Sequence, residues 1–295
     1  MTDADPVIVI VGPTASGKTD LAQQVALAVD GEVVSADSMQ VYRGMDIGTG
    51  KIPVEERLVA HHGFDLVDPG EPFSAALFQA YARECFVDIS SRGKRPLLCG
   101  GTGFYVRAAI DGYEFPEGEQ VGNPIRDRFT EIAETRGADY LWGLLRDRDP
   151  KSAEIIPPRD VKRVVRAFEL LEDGTSYAAQ KERLASIPQA IRIDARVDAM
   201  FEQGLVREVE GLLNAGFRDG ITAPQAIGYK EVVAALDGSI RLDEACEKIK
   251  IATHRYAKRQ RTWFRKDERI VWIDANEGDL DSLTERALTI VGNAS

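Results

Sequence analysis

Val7-Ile8-Val9-Ile10-Val11 runs directly into Gly12-Pro13-Thr14-Ala15-Ser16-Gly17-Lys18-Thr19, and this stretch decides the fold. A continuous β-branched run suits a parallel strand buried on both faces. The next eight residues fit GxxxxGK[ST] without a mismatch, and they open a helix expected over Lys18–Ala28. Glycines let the backbone curl until successive N–H groups point inward at phosphate oxygens. The helix N-terminus adds partial positive charge. Lys18 adds a full one, and the Thr19 hydroxyl can hold Mg²⁺. Gly12, Pro13, Thr14, Ala15, Ser16, Gly17, Lys18 and Thr19 are therefore the expected phosphate-binding residues. Kinases, GTPases and transferases all use such a loop, so it names no reaction.

Outward from the loop, Val33-Val34-Ser35 reads as a second short strand and Pro96–Gly101 as a third, entered from a helix near Ala75–Ser90. Strand and helix in alternation predict an α/β fold, a P-loop NTPase-like parallel sheet flanked by helices. Beyond about Gly112 the pattern turns helical. Asn123–Arg136 and Asp160–Glu172 read as polar helices. Val197–Ala215 reads as one amphipathic helix with Met200, Phe201, Leu205, Val209, Leu212 and Leu213 on a face and Gly216 at its C-cap. Asp243–Lys266 reads as another long helix, and Ile270–Ile273 as a last strand. The expected domains are a core of residues 1–112 and 196–295, with a mainly helical insertion over 113–195.

The 295 residues carry a net charge of -11, with 44% apolar and 29% charged residues, an ordinary globular balance. Local clusters rather than the total decide whether such a chain meets a polyanion. Cys85, Cys99 and Cys246 are too few and too scattered for a disulfide framework or a metal pair, and read as buried structural thiols. The acidic N-terminus and the short apolar run after it suit neither a signal peptide nor a membrane span. A cytoplasmic monomer that meets no membrane is expected.

Ser35-Ala36-Asp37-Ser38-Met39-Gln40-Val41-Tyr42-Arg43-Gly44-Met45-Asp46-Ile47-Gly48-Thr49 follows the second strand. Ligands of open α/β sheets lie at the carboxyl ends of strands, which puts Asp37 near the phosphate loop. Asp37 reads as a general base facing an acceptor, or else as a helix cap or a carboxylate behind a Mg²⁺ ion. This stretch and the phosphate loop closely resemble tRNA dimethylallyltransferases. So do His61-His62, Asp68-Pro69 with Phe73-Ser74, and Gly100-Gly101-Thr102-Gly103-Phe104-Tyr105. The likeness continues through Arg163-Val164-Val165-Arg166-Ala167-Phe168-Glu169 and Ala226-Ile227-Gly228-Tyr229-Lys230-Glu231, and ends with Tyr256-Ala257-Lys258-Arg259-Gln260-Arg261-Thr262-Trp263-Phe264.

The resemblance implies transfer of a dimethylallyl group from dimethylallyl diphosphate to N6 of the adenosine just 3′ of the anticodon, in tRNAs that read codons beginning with U. It makes Lys18, Asp37 and Thr102 the catalytic candidates and Mg²⁺ the cofactor. It also places Ser38, Met39 and Gln40 around the flipped adenosine of the anticodon loop, with Thr102 and Arg126 beside the tRNA. Thr102 could equally cap the helix it precedes. Arg126 could equally be a solvated helix charge.

Two basic clusters suit RNA phosphates. Arg159, Lys162, Arg163 and Arg166 recur at helical spacing, predicting four cations on one face. Between Lys248 and Lys266 lie eight Lys or Arg residues, no acid, and interleaved His254, Tyr256, Trp263 and Phe264. Lys230 and Arg218 are further candidates for the diphosphate or tRNA. The competing readings are a P-loop kinase of a small metabolite, prenylation of free adenine nucleotides, and a non-catalytic RNA-binding module. No Arg-rich lid or Walker B strand supports the first, the basic clusters favour a larger acceptor than the second, and the intact Lys18 and Thr19 speak against the third.

Overall fold

A computed structural model describes residues 7–111, 124–172, 176–178, 194–274 and 278–293. Within it the chain divides into two compact units, Met1–Tyr113 with Ser186–Ser295, and Glu114–Ala185. The Gly112–Gly122 turn and Asn123 lie outside the described residues.

The first unit is built on β1 (Ile8–Val11), β2 (Gly31–Ser35), β3 (His61–His62) and β4 (Arg95–Gly100), all parallel in the order β1-β4-β2-β3. The crossover places β4 in the centre, with Leu97 and Leu98 fully buried. β1 was expected to be buried on both faces, but among the described residues it pairs only with β4, and it is half-buried along its length. β3 had no sequence signal. Two histidines make no β-branched run, and their pairing to Val33 and Val34 defines the strand.

Helices α1 (Lys18–Ala28) and α12 (Leu280–Asn293) bring Ala22, Val25, Ala26 and Ala287 onto Val33, Leu97 and Cys99. Alternate strand residues point the other way. There α2 (Ala75–Ser91), capped by Ser74, packs on β2 and β4 and stacks Phe78 on Tyr105 of α3 (Gly103–Ile110) at 4.2 Å. The remaining helices of this unit are α8 (Asp194–Gln203), α9 (Leu205–Asn214), α10 (Tyr229–Leu236) and α11 (Leu242–Phe264).

Two expectations fail here. The single helix over Val197–Ala215 is two, broken at Gly204, whose φ of 104° lies in the left-handed region. The broken helix still buries Met200, Leu205, Val209 and Leu212, so the apolar periodicity was read correctly while the break was missed. Ile270–Ile273 forms no strand. Ile273 packs its side chain on the cluster around α1 and α12 instead, and Val271 stays exposed.

The second unit contains α4 (Pro124–Arg136), α5 (Ala138–Arg148), α6 (Pro150–Ile155) and α7 (Val161–Glu172). Its core is Phe129, Leu141, Leu145, Ile156, Val164 and Phe168, with the Phe129 and Phe168 rings stacked at 4.0 Å. Trp142 Nε1 donates to the Ile156 carbonyl at 2.7 Å.

Glu32 makes a testable ionic anchor in the first unit. Its buried carboxylate accepts from Arg92 at 2.5 and 2.8 Å and lies 2.8 Å from His62 Nε2. Arg92 is the main cause of a carboxyl pKa held down to about 2, against an ordinary 4.5. A depressed carboxyl pKa contributes stability that is present above the unfolded value and lost as pH falls toward the folded one. The melting temperature of Glu32→Gln is thus expected below that of the parent at pH 6, with the gap closing between about pH 4.5 and pH 2. A gap independent of pH would mean that the ion pair contributes nothing.

Candidate active site

The phosphate loop leaves β1 and enters α1 with Ala15 and Gly17 in the left-handed region, at φ 59° and 78°. Ser16 Oγ and Lys18 Nζ both donate to the Pro13 carbonyl, at 2.9 and 3.0 Å. The Thr14 N–H donates to Gln260 Oε1 at 3.0 Å, while Gln260 Nε2 donates to the Gly101 carbonyl at 2.8 Å. Buried Gln260, on α11, therefore ties the phosphate loop to the turn after β4.

Strand register assembles the rest. Val11 lies opposite Gly100, and Cys99 opposite Ser35, so β1, β4 and β2 end level with one another. The turns carrying Thr14, Thr102 and Asp37 must then emerge side by side. The Thr102 N–H donates to the Ala36 carbonyl at 3.1 Å. Thr102 occupies the N-cap position of α3, but its side chain makes no capping hydrogen bond there. Its hydroxyl accepts from the Ser38 N–H at 3.1 Å and lies 3.3 Å from Ser38 Oγ. The Met39 N–H donates to Asp37 Oδ1 at 2.9 Å and orients that carboxylate.

A cleft opens at this level, lined by Thr14, Lys18, Thr19, Asp37, Gln40 and Arg196 among others. Gln40 is held at both ends, accepting from Ser35 Oγ at 2.7 Å and donating to the Thr49 and Gly50 carbonyls at 3.2 Å. Arg196, in the first turn of α8, is the residue that sequence reasoning missed. It stands just before the apolar stripe that begins at Val197, and its position at the margin of that stripe was the available signal.

The electrostatics are those of an anion site. Burial lowers the Lys18 pKa, Cys99 and Asp37 oppose that shift, and Arg196 adds to it. Burial likewise lowers that of Arg196, with Asp37 opposing. Two desolvated cations and a single carboxylate lining one cleft make an environment that favours an anion. Tyr256, on α11, feels the same carboxylate. Its phenol is pushed up to about 12, first by burial and then by Asp37, with Thr102 and Gln260 opposing the shift. Cys99, buried beside Lys18, is raised to about 11 by burial and is inert as a nucleophile. Cys85 and Cys246 are half-buried thiols, less enclosed than expected.

Thr19 lines the same cleft as Asp37. A hydroxyl, a carboxylate and the oxygens of a phosphate ligand make the hard-oxygen set that Mg²⁺ prefers. Among the described residues no group of three or more His, Cys, Asp and Glu side chains could hold a metal unaided. The residues present fit a metal delivered with a phosphate ligand.

The other cations sort by partner. In the second unit Arg126 and Arg166 both bind the carboxylate of Glu169, at 2.7 and 3.1 Å, and Glu169 is 2% exposed. Stripping a partner from a buried carboxylate costs about 3–5 kcal/mol, so these arginines carry a structural duty. Arg163 pairs with Asp160 at 2.5 Å, Lys162 is exposed, and Arg159 precedes α7 instead of lying on it. Of the expected face of four cations, Lys162 and Arg163 are exposed on α7, Arg166 is engaged with Glu169, and Arg159 lies before the helix.

In the first unit Lys248, Lys250 and His254 face acids. Arg255, Lys258, Arg259, Arg265 and Lys266 are exposed and enter no ion pair among the described residues. Arg218 pairs with Asp237 at 2.6 Å, and neither it nor Lys230 lines the cleft. Among the described residues no helix is long and apolar enough to cross a membrane.

This arrangement has close relatives. A family model described as IPP transferase matches residues 40–267, and one described as Isopentenyl transferase matches residues 6–62. The tRNA dimethylallyltransferase of Carboxydothermus hydrogenoformans is 42% identical, over 98% of this chain and 98% of that protein. That of Desulforudis audaxviator is 44% identical over 94% of each. The crystal structure of the full-length tRNA isopentenylpyrophosphate transferase from Bacillus halodurans matches with a TM-score of 0.70 and 40% identity, over 98% of this chain and 96% of that one. A eukaryotic dimethylallyltransferase acting on tRNA matches with a TM-score of 0.71 and 29% identity, over 86% of this chain and 68% of that one. With the phosphate loop, the Asp37 turn and a match that spans nearly the whole chain in agreement, the chain belongs to the IPP transferase family of tRNA dimethylallyltransferases.

Proposed function

We propose that this protein transfers the dimethylallyl group of dimethylallyl diphosphate to N6 of the adenosine 3′-adjacent to the anticodon, in tRNAs reading codons that begin with U. The observation that carries the reading is one cleft lined by two desolvated cations, Lys18 and Arg196, and by a carboxylate, Asp37. A leaving-group site and a base are what alkyl transfer to an amine requires.

The phosphate loop, Gly12 to Thr19, would hold the diphosphate, with Lys18 and Arg196 taking up charge as the bond from C1 to oxygen breaks. The N6 lone pair forms the new bond to C1, and diphosphate leaves with the electron pair of the old one. The N6 proton passes to Asp37, which the Met39 N–H already orients. Mg²⁺, held by Thr19 and the diphosphate, would neutralise part of the leaving charge. The adenine must leave its stack to reach Asp37. Ser38, Met39, Gln40 and Thr102 form the turn and wall around that carboxylate.

The polyanion would run along α11. Arg255, Lys258 and Arg259 recur at three- and four-residue spacing, with Arg265 and Lys266 just past the helix end, while Tyr256 and Gln260 turn inward to the site. Lys162 and Arg163 offer a second patch. The paired Arg126 and Arg166 would reach tRNA only by sharing their charge with Glu169. Replacing Arg255, Lys258 and Arg259 with Gln is expected to weaken tRNA binding and flatten its salt dependence, by about one unit of slope for each phosphate that is no longer neutralised. An unchanged slope would remove α11 from the interface.

The reaction itself is tested by incubating the protein with Mg²⁺, dimethylallyl diphosphate and unmodified tRNA, and analysing the nucleosides by mass spectrometry. The expected product is a prenylated adenosine from tRNA and none from free AMP. Phosphorylation of a metabolite by ATP with no prenylated nucleoside would overturn the proposal.

A further inference from the structure

Behind the cleft, four donors converge on one carboxylate. Glu208, on α9, accepts from the N–H groups of Asp46 at 3.0 Å, Ile47 at 2.7 Å and Gly48 at 3.2 Å. It also accepts from the Tyr229 hydroxyl at 2.5 Å. Consecutive backbone N–H groups turned toward one point form an anion seat. The anion in this seat is the protein's own. Tyr229 is fully buried, and burial followed by the Glu208 charge pushes its phenol well above the ordinary tyrosine range, so it remains the donor. Its ring closes over Gly48, where any Cβ would run into it.

The seat fixes what comes next in the chain. The Thr49 carbonyl accepts from Arg196 Nη2 at 3.1 Å and from Gln40 Nε2 at 3.2 Å, and the Gly50 carbonyl accepts from Gln40 at 3.2 Å. Thr49 and Gly50 both line the cleft. The Thr49 hydroxyl donates to the Met45 carbonyl at 2.6 Å, and the buried Lys51 ammonium reaches Asp46 and the Tyr42 carbonyl, each at 2.7 Å. Residues 45–51 are therefore held from behind by Glu208, Tyr229 and Lys51, and present two carbonyls forward to the residues that face the ligand.

We infer that Glu208 is a positioning residue for the diphosphate site: by seating the backbone of residues 46–48 it holds the Thr49 carbonyl that aims Arg196, and Tyr229 holds Glu208 in turn. The inference rests on the reading that Arg196 contacts the donor's diphosphate. A purely structural tie between α9 and this segment would lower stability without touching ligand affinity, and the two roles separate in a double-mutant cycle.

The test is titration of the full-length chain with inorganic pyrophosphate in the presence of Mg²⁺, followed by calorimetry. Glu208→Ala is expected to weaken binding about tenfold in the parent. In an Arg196→Ala background the same change is expected to cost less than about twofold, because the group it aims is gone. Glu208→Gln keeps an acceptor for the Asp46 and Ile47 N–H groups and is expected to lose less. It stands in if the alanine variant does not fold, and Tyr229→Phe serves as a third arm. Parent-like pyrophosphate affinity in every folded variant, or equal losses with and without Arg196, would overturn the inference. Pyrophosphate binding needs no prenyl transfer. Missing prenylated product with coupled binding intact therefore sinks the reaction and spares the positioning role, and active enzyme with uncoupled binding does the reverse.

Discussion

Asp37→Ala is expected to lower the turnover of tRNA prenylation by about 10²- to 10⁴-fold, the range a positioned general base supplies. Affinity for tRNA should change little, because a phosphate-tracking protein draws its affinity from cations spread along the backbone. The geometry makes Asp37 a sharp target. One carboxylate oxygen is engaged by the Met39 N–H at 2.9 Å, and the side chain lies in the cleft with Lys18 and Arg196. Asp37→Asn keeps an acceptor for that N–H and preserves the turn, so it isolates the proton-accepting role. Single-turnover rates and a tRNA dissociation constant for both variants decide the matter. Equal loss of rate and affinity would make Asp37 a builder of the pocket and move the base elsewhere.

Arg196→Ala is expected to reduce kcat/KM for the donor by the equivalent of about 2–5 kcal/mol, the usual cost of removing one partner from a desolvated charge pair. The sign on stability is the discriminating feature. In the free protein Arg196 is desolvated and repelled by Lys18, with Asp37 as its attraction, so removing it should cost the free fold little. Pyrophosphate should raise the melting temperature of the parent by mass action and raise it less, at the same concentration, in the variant. A variant that melts early while its remaining folded fraction binds pyrophosphate normally would make Arg196 structural. Lys18→Ala should behave like Arg196→Ala in binding. It also removes the ammonium that bonds the Pro13 carbonyl at 3.0 Å, so the loop loses a tie as well as a charge.

Much of the core was legible along the chain. The phosphate loop, its strand and its helix are adjacent in sequence, and their chemistry depends on residue types at fixed short spacing. Asp37 was legible because it follows a strand whose carboxyl end opens on the same edge of the sheet as that loop. Where reading failed, the missing information was spatial. Gly204 breaks the helix after Gln203, although a lone glycine in a helical pattern is usually tolerated. Two histidines became β3 only because Val33 and Val34 offered them a ladder. Arg126 and Arg166 were expected beside tRNA, and only folding shows that both engage the buried carboxylate of Glu169.

By itself the sequence determined the α/β class, the candidate phosphate loop and the candidate base, the first two through periodicity and short fixed spacing and the third through its place at the end of a strand. The tertiary structure alone decided the company they keep. Gln260 meets Thr14 across 246 residues, Arg196 meets Thr49 across 147, and Glu208 seats Ile47 across 161. Such pairings arise from the level ends of β1, β4 and β2 and from helices packed around them. They obey no period, because contact between distant segments is set by how buried faces fit together and leaves no spacing in the chain to be read.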